Sequence, residues 1–362
     1  MTLISPDDTM RYFKLIFILL LSLPLIYGCD SKLEVNAPWK DITVVYGLLN
    51  QNDSIHYLKI TKAFLGEGNA LMFAQIPDSS NYPETLDVRV EGWEIISKYD
   101  SSLQQTILFD TTTITNKEAG DSIFYFPHQL VYRSLGIVKL NSDYIYKLFI
   151  KNKETGKEIT SRTVLVQKFT NIAKPQPAPA RASFDTASGT RNTIDWLSVN
   201  GGKRYKVVAR IHYLETNKVD PSIIHSKFVD WKLIEIKTNE TKEGQRLIYS
   251  YPTKAFYTVL GNHIHADTLT EKNLPSNYNR VAYSMEYIFT VAADDYNTYM
   301  EVSEPSTTIV QEKPPFSNIN NGIGLFSARY DNTKDYPIVQ TTFSTKTIQY
   351  LKVHPSTYDL GF

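Results

Sequence analysis

Tyr205-Lys206-Val207-Val208-Ala209-Arg210-Ile211-His212-Tyr213 is the run whose reading decides the fold. Tyr205, Val207, Ala209, Ile211 and Tyr213 fall on one face of an extended chain. Lys206, Arg210 and His212 fall on the other, with Val208 the exception. Successive side chains of a strand point to opposite faces, so this period of two predicts a strand with one face on a core and one towards water. Downstream, Tyr287, Phe289, Val291 and Ala293 repeat the pattern ahead of Asp294-Asp295-Tyr296. Upstream, Tyr144, Tyr146, Leu148 and Ile150 share a face, and a polar turn over 152–156 leads to a returning strand, Ile159 to Val166. Nearer the start, Ile42 to Leu49, apolar on both faces, and Ile55 to Thr61 read as strands joined by the turn Gln51-Asn52-Asp53. Leu86 to Ile96 directs Asp87, Arg89 and Glu91 outward and Val88 and Val90 inward. No long amphipathic helix is visible. The sequence predicts an all-β protein.

Leu140-Asn141-Ser142-Asp143-Tyr144 resembles the tyrosine corner of a β-sandwich, in which a tyrosine hydroxyl ties a loop to its strand. Lys174-Pro175-Gln176-Pro177-Ala178-Pro179-Ala180 cannot pair in a central strand and favours a stiff polyproline spacer. After it, Thr193-Ile194-Asp195-Trp196, the Tyr205 and Tyr287 strands and a closing Ser303-Glu304-Pro305-Ser306 resemble a fibronectin type III domain. The interval from Leu214 to Tyr283 exceeds what the middle strands of such a domain need, and reads as an insertion or an elaborated edge. The expected architecture is therefore two immunoglobulin- or fibronectin-like β-sandwiches. One spans 39–172, and the second spans 173–312 with its insertion at about 215–282. A C-terminal β extension over 313–362 is too short for a core of its own and is expected to pack on the sandwiches. It contains Gly322-Ile323-Gly324-Leu325-Phe326-Ser327-Ala328, a glycine turn running into an apolar strand.

The first thirty residues carry a different message. Arg11 and Lys14 lead into an apolar run from Leu15 to Ile26 that ends at Tyr27-Gly28-Cys29, the layout of a secretory signal. The run is shorter than the roughly 20 residues a membrane-spanning helix needs. Ile26-Tyr27-Gly28-Cys29 resembles a bacterial lipobox, which implies a signal peptide over 1–28, an acylated Cys29 and a tether over 29–38. Asp7 and Asp8 sit where a signal wants positive charge, so translation is expected to start at Met10. Cys29 is the single cysteine of the 362 residues, which excludes a disulfide framework, a cysteine-rich zinc site and a Cys–His nucleophile. Lys+Arg and Asp+Glu both number 38, and removing 1–28 takes two of each. A balance of zero argues against nucleic acid and against an electrostatically held membrane surface. The membrane partner is the lipid on Cys29.

The lipobox, the aromatic-rich all-β body, Val45-Tyr46-Gly47-Leu48-Leu49 and the Gly322–Ala328 segment together resemble an uncharacterised outer-membrane lipoprotein family of the Bacteroidota. The resemblance implies an outer-membrane location and an outer-membrane receptor of the TonB-dependent kind as neighbour. It supplies no catalytic residues.

Candidate chemistry is sparse. His263-Ile264-His265-Ala266-Asp267, read as a strand, puts two imidazoles and a carboxylate on one face as a partial metal site; a plain polar face is the competing reading. Asp294-Asp295 fits a turn or a calcium loop. Tyr249, Tyr251, Phe256 and Tyr257 flank Pro252 in the insertion, where exposed aromatics would contact a glycan or protein ligand and buried ones would be core. Gly-x-Ser-x-Gly and His-Glu-x-x-His are both absent. The sequence is thus read as a non-catalytic binding or accessory protein with no cofactor. The alternative is a metal-dependent or carboxylate-pair hydrolase of glycans or peptides, built around His263, His265 and Asp267.

Overall fold

The computed structural model describes residues 42–63, 76, 80–82, 86–115, 128–169, 171–175, 181–187, 189–267, 277–304, 315–333 and 340–362. The signal, Cys29 and the tether lie outside the described residues. No described helix is long and apolar enough to cross a membrane.

Strands dominate. The first half contributes β1 (Ile42–Leu49), β2 (Tyr57–Ala63), β3 (Leu86–Ser97), β4 (Asp100–Ile114), β5 (Gln129–Ser134), β6 (Ile145–Asn152), β7 (Glu158–Val164) and β8 (Ile172–Lys174). The second contributes β9 (Arg181–Ala182), β10 (Arg191–Leu197), β11 (Arg204–Asn217), β12 (Ile224–Lys237), β13 (Arg246–Pro252), α1 (Ala255–Asp267), β14 (Tyr278–Ala292) and α2 (Asp294–Ser303). The extension adds β15 (Gly322–Asp331), β16 (Gln340–Phe343) and α3 (Thr345–Leu351). The protein is all-β with a sandwich-like arrangement of two sheets. The larger runs β12-β11-β14-β15-β1-β2-β5-β4-β3-β6-β7, and the smaller runs β13-β10-β8.

The five inward residues of the Tyr205 run are each at most 1 % exposed. The smaller sheet covers them: Trp196 of β10 packs its ring 5.6 Å from Phe289 and 6.4 Å from Tyr205, and the Tyr251 and Tyr287 hydroxyls meet at 3.0 Å. Each such side chain contributes about 1.5–3 kcal/mol by leaving water. In the first half the larger sheet curls, burying Val45, Leu58, Ile60, Val88, Val90, Leu148, Ile150 and Ile159. Its last strand, β7, meets the residues just ahead of β15: Thr160 pairs with Asn320, and Ser161 Oγ donates to the Asn318 carbonyl at 2.7 Å.

β15 joins the halves. It runs parallel to β1 over Thr43–Leu49 and antiparallel to β14 over Thr290–Ala292. Gly324 makes the close approach to β1 possible, since at φ +116° a Cβ there would lie 2.0 Å from the Val45 carbonyl oxygen. The proline-bearing segment expected as a boundary is thus flanked by halves that share one hydrogen-bonded sheet.

Two local expectations are corrected and a third is settled. The tyrosine corner belongs to Tyr146, whose hydroxyl accepts from the Asn141 amide at 2.8 Å; a second corner joins Tyr205 to the Val199 amide at 2.9 Å. Glu91 does not face water. It is buried, accepting from Arg89 Nε and Trp93 Nε1. Of the two readings of the interval from Leu214 to Tyr283, insertion or elaborated edge, the elaborated edge holds, with β12 outermost in the larger sheet and β13 in the smaller. β11 and β14 pair directly along Arg204–Asn217, and the residues between supply β12, β13 and α1.

Candidate functional site

The residues singled out from the sequence do not converge. Residues 255–267 form a helix rather than a strand, so the strand alternation on which the partial metal site rests does not apply. His263 is exposed, with Nδ1 3.0 Å from the Val259 carbonyl. The side chains of His265 and Asp267 lie outside the described residues. Among the described residues no group of three His, Cys, Asp or Glu is placed to hold a metal ion. Tyr251, Phe256 and Tyr257 are buried and Tyr249 is half-buried. Phe256 stacks on Phe184 at 4.2 Å, and Tyr257 donates to the Phe184 carbonyl at 2.7 Å. Phe256 and Tyr257 thus hold α1 on the core. Asp294 and Asp295 open α2, neither a turn nor a calcium loop, and Asp295 accepts from Asn318 Nδ2 at 2.8 Å.

The surface that does present binding chemistry is the outer face of β12, β11 and β14. With the inner face of β11 in the core, the even-numbered residues of the same strand must point outward. Register then sets the rows. His212 lies opposite Phe228, Arg210 lies between Asp230 and Glu286, and Thr216 lies opposite Ile224. A register shift at His212/Tyr213 makes Tyr283 an extra residue of β14, and such a bulge re-aims its side chain. The Tyr283 ring comes to 5.9 Å from His212, and its hydroxyl to 3.4 Å from Ser226 Oγ. Phe228 lies 6.4 Å from His212 on the other side. Phe228 is 53 % and Tyr283 41 % exposed, and Ile224 and Val281 are exposed beside them.

Ion pairs border this aromatic strip on one side. Arg210 grips Asp230 through two hydrogen bonds of 2.7 and 2.8 Å, and its guanidinium lies 4.1 Å from the Phe228 ring centre. Asp230 holds the Arg210 charge above its ordinary range against the effect of burial. His212 Nε2 lies 3.5 Å from Glu286 Oε2. These polar groups are matched within the face, whereas the exposed rings and aliphatic side chains are unmatched.

At the other end of the same face α2 forms one wall of a cleft of about 580 Å³, within the size range of ligand pockets. Tyr296, Tyr299 and Met300 line it from the helix, and Arg204, Lys206, Glu235 and Thr290 from the sheet. Arg204 is the anchor. Its Nε donates to Asn297 at 2.9 Å, and Nη1 donates to Glu235 at 2.8 Å and Glu304 at 2.6 Å. Burial opposes its charge, but Glu304 and Glu235 outweigh that and raise its pKa. In return Glu304 is held below its ordinary value by Arg204, and Glu235 by Lys232 and Arg204. Tyr299 also meets Tyr46 of β1 edge to face at 6.0 Å.

A second, polar cleft lies among Ser161, Arg162, Asp295, Asn318 and Asn320. Ser161, Asp295 and Asn318 are already bonded to one another, so it reads as the joint between β7, α2 and the residues ahead of β15. Sequence reading missed the outer face because it named the strand without knowing what covered its polar side.

No protein-family model and no curated protein matches the chain. Among solved structures it is similar to the C-terminal globular domain of an oligosaccharyltransferase from Pyrococcus abyssi. The identity is 11 % and the TM-score 0.24, over 70 % of this chain and 48 % of that one. The chain thus spans about half the length of that structure, and a likeness this distant carries no function with it.

Proposed function

We propose that the chain is a lipid-anchored, non-catalytic binding or accessory protein of the cell envelope. Cys29 holds it at the outer membrane, and the outer face of β12, β11 and β14 meets a partner protein. A receptor of the TonB-dependent kind is the partner that the family resemblance implies. The observation supporting this reading is the uncovered patch of Phe228, Tyr283, Ile224 and Val281 on a sheet whose opposite face is fully packed. Contiguous exposed apolar side chains rimmed by polar ones mark interaction sites, and aromatic residues are enriched at interface cores. The Arg210–Asp230 ion pair and the polar His212–Glu286 contact supply the rim. The hydrogen-bonding rim also suits a glycan ligand on the same rings, which is the second ligand class named from the sequence.

Affinity purification of the native protein from detergent-solubilised membranes tests the reading. The wild type is expected to carry a receptor in stoichiometric amount. Phe228→Ser with Tyr283→Ser is expected to lose it while keeping the strand-rich circular dichroism spectrum, and Cys29→Ser to leave the membrane fraction. Equal receptor recovery from wild type and double variant removes the proposed face, and recovery of the protein alone removes the accessory role.

A further inference from the structure

The cleft beneath α2 holds donors that the helix anchor does not use. The Arg204 side chain is 6 % exposed. Nε and Nη1 are engaged by Asn297, Glu235 and Glu304, but Nη2 makes no hydrogen bond with a described residue. Arg204 lines the cleft, so this nitrogen is available to a ligand there. Lys206 follows on the same face of β11, two residues and about 7 Å along the strand. It too lines the cleft, and it forms no ion pair with a described residue. Lys232 Nζ takes the second oxygen of Glu235 at 2.5 Å. Three cations, Arg204, Lys206 and Lys232, against two carboxylates, Glu235 and Glu304, leave one positive charge. Across from them Tyr296, Tyr299 and Met300 stand at i, i+3 and i+4, one apolar face of α2.

We propose that this cleft binds a small organic monocarboxylate, with its carboxylate on Arg204 Nη2 and Lys206 Nζ and its apolar body along Tyr296, Tyr299 and Met300. A dianion would leave uncompensated charge beside Glu235 and Glu304. A cation would meet the two unused donors. A neutral ligand would leave Lys206 idle. The site is separate from the aromatic strip, so it stands or falls independently of the partner face.

Isothermal titration calorimetry on the mature chain uses 3-phenylpropionate as probe, with 3-phenylpropanamide and phenyl phosphate as comparisons. One site per chain is expected for the acid, with affinity at least about tenfold above the amide, as charge-assisted hydrogen bonds require. Lys206→Gln breaks no ion pair with a described residue and is expected to reduce acid binding about tenfold, far more than it alters amide binding. Tyr299→Ser is expected to weaken both. Amide binding as tight as the acid, phenyl phosphate binding tighter than the acid, an unchanged Lys206→Gln variant, or no saturable heat at millimolar probe would each overturn the proposal.

Discussion

Two tyrosine hydroxyls carry the residue-scale argument. Tyr146 and Tyr205 lie at or near the start of a buried strand and reach back to a loop amide five or six residues earlier. Burial pushes both hydroxyls up to about 12, so they stay protonated at neutral pH. Tyr146→Phe and Tyr205→Phe each leave a loop amide without its acceptor, at a cost of about 1–3 kcal/mol. Urea unfolding midpoints should fall accordingly with the slope unchanged, and unaltered midpoints would show that water replaces the hydroxyl. Alternation alone marked Tyr205 as an inward strand residue, though not as a corner. The first corner was displaced by two residues for a simple reason: Tyr144 and Tyr146 share a strand face, and the period of two cannot say which reaches the loop.

At the scale of elements, the strands with clean alternation were legible, while β4, β5, β12 and the helices were not. In α1 the buried residues Phe256, Tyr257, Leu260 and Ile264 recur at helical spacing, but the alternation His263-x-His265-x-Asp267 drew the reading towards a strand. In α2 the acidic pair Asp294-Asp295 sits in the first turn, where negative charge favours a helix start; the same pair is equally a turn signal. What holds α2 down is Arg204, which reaches Asn297 in the first half of the helix and Glu304 at its C-cap. Glu304 and Glu235 titrate below their ordinary values when folded. The unfolded chain therefore takes up protons first as pH falls, and their contribution is present above the ordinary glutamate range and lost through the lowered folded value. Hydrogen exchange of the α2 amides, corrected for intrinsic rate, should accelerate relative to β11 below about pH 4.3. Glu304→Gln should flatten that dependence. Parallel acceleration in α2 and β11 would mean that the ion pair does not gate the helix.

At the scale of the molecule, the sequence reading placed sandwiches on either side of Lys174–Ala180 and a tail packing on both. The hydrogen bonding shows what that tail does. β15 supplies the parallel neighbour of β1 at seven consecutive positions, Thr43 to Leu49, and buries Phe326, Ala328 and Tyr330 in the common core. Periodicity in one segment says nothing of which distant strand will lie beside it, so a parallel pairing across some 280 residues was beyond local reading. The pairing predicts how the halves depend on each other. A fragment covering 29–172 keeps β1 to β7 but opens the β1 edge, and an unpaired edge next to apolar side chains invites association. It also loses Asn318 and Asn320, which tie β7 through Ser161 and Thr160. This fragment is expected to aggregate or to unfold without a cooperative transition. The same fragment joined through a flexible linker to 315–333 should recover a sigmoidal urea transition. A cooperative transition in 29–172 alone, at the midpoint of the full chain, would show instead that the first sandwich stands without β15.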